Sequence, residues 1–102
     1  MILAIDIGNT NIVLGCVDDE KTYFIERLST IKTKMELEYA IDIKMVLDIH
    51  GIKPEKLEGA IISSVVPQIT YVVKEAAEKI LKKETLVIGP GVKNGLNILM
   101  DN

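Results

Sequence analysis

A short polar stretch between two apolar runs contains the residues of this sequence best suited to chemistry. The run MILAIDI is apolar except for Asp6, and small residues follow it at once, namely Gly8, Asn9, Thr10 and Asn11. Glycine lets the backbone adopt a positive φ and come close to a ligand, and successive backbone N–H groups can form a concavity for an anion. The stretch therefore predicts either a tight hairpin turn, for which Asn, Asp and Gly are the standard residues, or a phosphate-binding loop.

The carboxylate of Asp6 helps to choose between these two interpretations. It would repel a phosphate group unless a cation lay between them, so a phosphate loop at this position implies Mg²⁺ held by Asp6, directly or through water. A carboxylate for the metal beside backbone donors for the phosphates is the usual arrangement of ATP sites. The position of the stretch, directly after a buried strand, favours the phosphate-binding interpretation.

Composition limits the class of protein and its partners. The 102 residues fit one domain, and 48% of them are apolar. The net charge of −3 and the absence of clustered Lys and Arg argue against a nucleic-acid partner. A single cysteine, Cys16, excludes an internal disulfide and a Cys-rich zinc site, and we expect it to be buried. No apolar run is long enough for a membrane span and no signal peptide is recognisable, so we expect a soluble cytoplasmic protein.

Hydrophobic patterns predict five strands, over residues 1–7, 11–17, 22–29, 57–63 and 84–88. Two helices are predicted, one over residues 34–50 and a second that has Pro67 in its first turn and Lys82 and Lys83 at its C-terminal end. The first should begin with a capping box formed by Thr33 and Glu36 and end at Gly51. Its inward stripe is predicted to be Leu37, Ala40, Ile41, Met45 and Ile49, and that of the second helix Ile69, Val72, Val73, Ala76, Ala77, Ile80 and Leu81.

The order of these elements, β-β-β-α-β-α-β, predicts an α/β fold. Three strands with short connections should form an antiparallel meander, and the two crossovers should add parallel strands. The result is a mixed five-stranded sheet with helices packed on it. This is the order of the ribonuclease-H-like half-domain of the actin, Hsp70 and sugar-kinase superfamily.

Four segments in order resemble the type III pantothenate kinases, also called the Baf family. They are MILAIDIGNTNIVLG, ERLST, ISSVVPQ and IGPGVKNGLNI, and the resemblance runs across essentially the whole chain. It implies ATP-dependent phosphorylation of pantothenate to 4′-phosphopantothenate, the first step of coenzyme A biosynthesis. It also implies a need for Mg²⁺ and for a monovalent cation, K⁺ or NH₄⁺, and a homodimer.

The resemblance also implies roles for particular residues. The first phosphate loop would be formed by Asp6, Ile7, Gly8, Asn9, Thr10, Asn11, Ile12 and Val13, with Asp6 as the metal-side carboxylate. Arg27 and Thr30 would lie near this loop. The segment with Ser63, Ser64 and Pro67 is either a plain strand-to-helix turn capped by Ser64 or a border of the nucleotide cleft.

The chain departs from the family pattern in its length and at two positions, Met100 and Asn94, and these departures affect the expected activity. Family members are longer and have two half-domains, and their general-base aspartate, in a Gly-Ala-Asp-Arg motif, is expected beyond Asn102. Met100 stands where the family has a tyrosine that contacts pantothenate, and methionine cannot make the hydrogen bond of a phenol. Asn94 stands where the family has a threonine. We therefore expect residues 1–102 to form a single N-terminal half-domain that is inactive by itself.

Two other functions stay open at this point. One is a Baf-type transcriptional accessory protein that has the same fold without kinase activity. The other is an actin- or Hsp70-like ATPase, which fits the loop but not the segments SSVVP and GPGVKNGL. Two tyrosines, Tyr39 and Tyr71, are candidates for packing at a subunit interface.

Overall fold

Five strands form one mixed sheet in the spatial order β3-β2-β1-β4-β5. The structure is a computed structural model that describes residues 1–89. The predicted positions Asn94 and Met100, and the segment from residue 90 onward, lie outside these described residues. The strands are β1 (Ile2–Ile7), β2 (Asn11–Val17), β3 (Thr22–Ser29), β4 (Ala60–Ser64) and β5 (Thr85–Ile88).

The directions of the strands follow from the lengths of their connections. β1, β2 and β3 pair antiparallel through short turns, as the meander prediction requires. β4 pairs parallel with β1, and β5 pairs parallel with β4, because a helical crossover precedes each of these strands. The predicted mixed five-stranded sheet is confirmed.

Two helices, α1 (Glu36–Ile49) and α2 (Pro67–Leu81), pack on the same face of the sheet. The alternate residues Leu3, Ile5 and Ile7 of β1 point into this core and are fully buried. Cys16 is also buried, as predicted, and burial raises the pKa of its thiol to about 12. Neither helix within residues 1–89 has both the length and the apolar character needed to cross a membrane.

The opposite face of the sheet carries a smaller apolar cluster. Ala4 and Val13 are buried there, and Ile25, Ile61 and Ile88 pack against them in partly buried positions. Within the described residues no helix covers this face, which we call the open face. It is the face on which Asp6 lies, because residues 4 and 6 of β1 point to the same side.

The inward face of α1 differs from the predicted stripe. The buried residues are Tyr39, Ala40, Ile43, Val46 and Leu47, so only Ala40 of the predicted set points inward. Four others are exposed by half or more, namely Leu37, Ile41, Met45 and Ile49. The prediction was wrong because α1 is apolar on two opposite faces, and both show helical spacing.

The start of α1 also differs from the predicted capping box of Thr33 and Glu36. The helix begins at Glu36, and the carboxylate of Glu38 accepts a hydrogen bond of 2.8 Å from the backbone N–H of Met35. Glu36 forms instead an ion pair of 2.9 Å with Lys79 of α2. The carboxylate that accepts a hydrogen bond from a backbone N–H at the helix start is therefore that of Glu38, two residues after the predicted Glu36.

The fourth strand is shorter than predicted. It begins at Ala60 rather than at Leu57, because a single turn of 3₁₀ helix, Pro54–Lys56, precedes it. Leu57 is nevertheless fully buried, and this explains why its apolar character resembled that of a strand residue. The predicted inward stripe of α2 is confirmed, with Val72 and Ile80 partly buried at its edges.

Both helices end in a residue of left-handed conformation. Gly51 has φ 69°, and the N–H groups of Gly51 and Ile52 donate to the carbonyls of Asp48 and Leu47, a Schellman motif. At the end of α2, Lys82 has φ 58° and is the one non-glycine residue with positive φ among residues 1–89. The prediction of Gly51 as the end of α1 is confirmed.

This pair of helix ends gives a matched stability test. Gly51→Ala should lower the free energy of unfolding by about 1 kcal/mol, because alanine is disfavoured in the left-handed region and no neighbouring atom would contact its Cβ. Lys82→Gly should raise the free energy of unfolding by about 0.5 kcal/mol, because glycine adopts the left-handed conformation without the steric cost of a Cβ. Urea unfolding of both variants measures these changes, and equal signs for the two would contradict the account.

Candidate functional site

The predicted phosphate loop is a tight connection between β1 and β2. The β1–β2 loop (residues 8–11, including Asn11 at the start of β2) closes with a hydrogen bond of 2.9 Å from the N–H of Gly8 to the carbonyl of Asn11. The hairpin interpretation of this stretch is thus correct as a description of its structure.

Gly8 is required for a different reason from the one predicted. It does not have a positive φ, since Gly51 is the only glycine with one among the described residues. A Cβ at Gly8 would lie 3.2 Å from the carbonyl oxygen of Asn11, which is tighter than an ordinary van der Waals contact. A side chain at this position would therefore push against the hydrogen bond that closes the loop.

Thr30, directly after β3, holds the loop from the side. Its hydroxyl donates a hydrogen bond of 2.7 Å to the carbonyl of Gly8. Its backbone N–H donates another of 2.9 Å to the carbonyl of Thr10. The structure therefore places Thr30 in contact with the loop, where the family resemblance expected it.

These contacts leave the loop with an excess of hydrogen-bond donors. The carbonyls of Gly8, Thr10 and Asn11 all accept hydrogen bonds from within the protein. The N–H groups of Asn9 and Thr10 have no backbone acceptor in the part of the chain that the structure describes. The side chains of both residues are exposed. The carbonyl of Asn9 is the one loop carbonyl without a hydrogen-bond donor among the described residues. Two N–H groups therefore stand against one carbonyl, a balance that favours an anion over a cation at the loop.

A row of side chains crosses the open face beside this loop. Asp6 of β1 is opposite Val13 of β2, which is opposite Arg27 of β3. On the other side Asp6 is opposite Ser63 of β4, which is opposite Ile88 of β5. Residues directly opposite each other in a sheet share a face, so these five side chains form one row.

Asp6 is the only carboxylate in this row. It is half-buried, and burial raises the pKa of its carboxyl above the ordinary value because the charged form loses water. Within residues 1–89 no three His, Cys, Asp or Glu side chains converge as a metal-ligand cluster. A single carboxylate nevertheless fits Mg²⁺, which commonly takes one or two carboxylates and completes its shell with water and phosphate oxygens.

The other predicted loop residues fall into two groups. Ile7 and Ile12 are buried in the core, so that their side chains cannot reach a ligand on the open face. Val13 is next to Asp6 in the row, and Asn11 is exposed in the loop. The row and the loop thus bring together Asp6, Gly8, Asn9, Thr10, Asn11 and Val13 but not the side chains of Ile7 and Ile12.

Ser63 and Ser64 have different surroundings although they are adjacent. Ser63 lies beside Asp6 on the open face, whereas Ser64 points toward the helices. The hydroxyl of Ser64 accepts hydrogen bonds from the N–H of Val66, at 3.0 Å, and from the hydroxyl of Thr70, at 2.9 Å. Ser64 therefore closes the turn before α2, while Val66 occupies the N-cap position that was predicted for Ser64.

Sequence reasoning missed the role of Tyr39. Its side chain is 1% exposed, so it cannot pack at a subunit interface, whereas Tyr71 is 64% exposed. The available signal was its spacing from Ile43, Val46 and Leu47, which places Tyr39 on the buried face of α1. A buried phenol normally has a hydrogen-bond partner, and Tyr39 bonds to the backbone next to Thr30.

Solved structures define the class of fold. A candidate N-acetylglucosamine kinase of Porphyromonas gingivalis aligns with a TM-score of 0.68 at 19% identity and covers 100% of this chain and 38% of its own. A hexokinase of the ROK type from Thermus thermophilus aligns with a TM-score of 0.65 at 13% identity and covers 86% of this chain and 34% of its own. At such identities the likeness concerns the fold alone, which is the actin-, Hsp70- and ribonuclease-H-like fold found in these two sugar kinases.

Sequence comparisons identify the family within this class. The family model for the type III pantothenate kinases matches residues 2–102, and the chain belongs to that family. Two relatives named type III pantothenate kinase are 42% and 41% identical over 102 residues, from Halalkalibacterium halodurans and an Exiguobacterium species. The chain is covered completely in both alignments and spans about 40% of the length of each relative.

The partly buried Asp6 gives a prediction for stability against pH. Because the pKa of Asp6 is raised in the folded state, its ionised form costs stability once the pH exceeds the ordinary value of 3.8, and the full cost is present above the raised pKa. Asp6→Asn removes this cost, so the variant should be more stable than the wild type at pH 7. The advantage should vanish near pH 3, where the carboxyl is protonated in both states.

Urea unfolding of the two proteins at pH 7 and at pH 3 measures this difference. Asp19→Asn is the control, because Asp19 is exposed in the turn between β2 and β3. An Asp6→Asn variant that is less stable than the wild type at pH 7 would show that Asp6 makes a stabilising contact instead.

Proposed function

We propose that the intact protein transfers the γ-phosphoryl group of ATP to pantothenate, and that the β1–β2 loop binds the phosphates of Mg·ATP. The observation that carries this proposal is the hydrogen-bond balance of the loop. Three of its four carbonyls accept hydrogen bonds, two of its N–H groups have no backbone acceptor among the described residues, and the half-buried carboxylate of Asp6 lies two residues before Gly8. Membership in the family of type III pantothenate kinases supports the same reaction.

Each part of the site would have a distinct task. The N–H groups of Asn9 and Thr10 would donate to phosphate oxygens and hold the triphosphate in place. Asp6 would hold Mg²⁺, which when bound neutralises charge on the phosphates. Thr30 keeps the loop carbonyls turned to the protein side, so that the donors need not reorganise when charge develops.

The chemical step is a displacement at phosphorus. The hydroxyl oxygen of pantothenate forms a bond to the γ-phosphorus, the bond to the leaving ADP oxygen breaks, and the hydroxyl proton passes to a general base. The family resemblance places that base beyond Asn102. We therefore assign residues 1–102 the nucleotide-phosphate side of the site and expect no turnover from them alone.

A direct assay separates this proposal from the regulatory alternative. The intact protein is incubated with pantothenate, Mg·ATP and K⁺ or NH₄⁺, and ADP and phosphopantothenate are measured together. Formation of both products in equal amounts supports the kinase. ATP hydrolysis without phosphopantothenate would favour an ATPase of the same fold, and no turnover under any of these conditions would favour a Baf-type regulator.

The assay also tests the role of Asp6. Asp6→Asn in the intact protein should lower kcat by at least about 100-fold, because it removes the negative charge that holds the metal while keeping the size of the side chain. The matched variant Asp19→Asn changes the same chemical group in an exposed turn and should keep wild-type kcat. An Asp6→Asn enzyme that turns over like the wild type would reject the metal role.

A further inference from the structure

The phenol of Tyr39 makes two hydrogen bonds to a single backbone position outside its helix. Its hydroxyl donates to the carbonyl of Ile31 at 2.7 Å and accepts from the N–H of the same residue at 3.0 Å. The side chain is 1% exposed, on the inward face of α1. Tyr39 thus fixes both polar groups of the residue that follows Thr30.

The segment held by Tyr39 has little apolar burial of its own. The side chain of Ile31 is 40% exposed, and the two residues after it are also exposed. Lys34 adds polar contacts, since its N–H donates to the carbonyl of Ile31 at 3.3 Å and its amine pairs with Asp42 of α1 at 2.5 Å. Hydrogen bonds rather than packing therefore set the position of this segment.

A continuous set of hydrogen bonds leads from α1 to the β1–β2 loop. Tyr39 holds Ile31, the peptide bond joins Ile31 to Thr30, and Thr30 holds the carbonyls of Gly8 and Thr10. Those two carbonyls decide whether the loop presents donors or acceptors to an anion. A change in the position of Thr30 would alter the loop directly.

We propose that Tyr39 is a positioning residue for the phosphate loop, which acts through Ile31 and Thr30 and sets the affinity for the phosphates of ATP. This inference rests on the proposed function of the loop. It assigns to α1 a role beyond covering the sheet, since its inward face also carries the group that fixes the loop. The side chain of Tyr39 is buried in the core, so it acts only through these backbone groups.

Tyr39→Phe tests the proposal, because it removes the hydroxyl and keeps the packing of the ring. In the intact protein the KM for ATP should rise about 10-fold, while the KM for pantothenate stays within about twofold, since a misplaced donor weakens a charged hydrogen bond to phosphate. Thr30→Val should act in the same way. Thr30→Ser keeps the hydroxyl, so this variant should keep a KM for ATP close to that of the wild type.

Two control variants separate positioning from a general loss of stability. Ile43→Val removes one buried methylene from the same face of α1, one turn after Tyr39, and destabilises the fold without touching the loop. Tyr71→Phe makes the same chemical change at an exposed position on α2. Both should keep the wild-type KM for ATP. A Tyr39→Phe enzyme whose KM for ATP equals that of Ile43→Val would overturn the proposal.

Hydrogen–deuterium exchange on the intact protein without ATP gives a readout that does not depend on the reaction. Tyr39→Phe should speed exchange about 10-fold at the amides of Gly8, Thr30 and Ile31, whose N–H groups are hydrogen-bonded in this network. Unchanged exchange at Gly8 and Thr30 would overturn the positioning role. If the wild type shows no kinase activity but Tyr39→Phe still speeds exchange at Gly8 and Thr30, the proposed function is rejected. The coupling of Tyr39 to the loop would then still be supported.

Discussion

The two hydrogen bonds from Thr30 to the β1–β2 loop are the interaction on which the account of this site depends. They occupy the carbonyls of Gly8 and Thr10, and the loop's own closing bond occupies that of Asn11. Without them a tight turn of small polar residues would present oxygens and N–H groups in equal measure. With them, the exposed side of the loop is rich in donors, which is the condition for binding an anion.

The alternation of side chains along β1 determines the position of Asp6, the carboxylate of the candidate site. Because side chains alternate along a strand, burial of Leu3, Ile5 and Ile7 against the helices leaves Asp6 on the open face. The pairing of β1 with β2 and β4 then brings Val13 and Ser63 beside it. A half-buried carboxylate has a raised pKa and gains most from a cation, which connects the cost in stability to the proposed metal role.

Much of the fold could be predicted from the sequence because the strands are short and their connections restrict them. The limits of β2 and β3 and the whole apolar stripe of α2 are confirmed. The inward face of α1 could not be predicted, since Leu37 and Ile41 alternate with Ala40 and Ile43 on opposite sides of one helix. Spacing reports the period of a helix, whereas the direction of its buried face depends on the sheet and on α2.

For the candidate site too, residues that follow a local sequence pattern could be predicted, whereas contacts between distant parts of the chain could not. Asp6 and Gly8 could be chosen from residue types and spacing, although the reason for Gly8 is its contact with Asn11 and not a positive φ. The hydrogen bonds of Thr30 reach Gly8 and Thr10, which precede it by 22 and 20 residues, so a local pattern does not contain them. Tyr39 was missed for a different reason, because its hydrogen-bond partner is the backbone of Ile31 rather than a recognisable side chain.

The central claim is that the donor-rich loop binds the phosphates of Mg·ATP. A crystal structure of the intact protein with Mg²⁺ and a non-hydrolysable ATP analogue tests it most directly. The account predicts phosphate oxygens within about 3.2 Å of the backbone nitrogens of Asn9 and Thr10, with the metal on the side of Asp6. An analogue bound with its phosphates away from the loop, or a metal held without Asp6 and its water shell, would contradict the account.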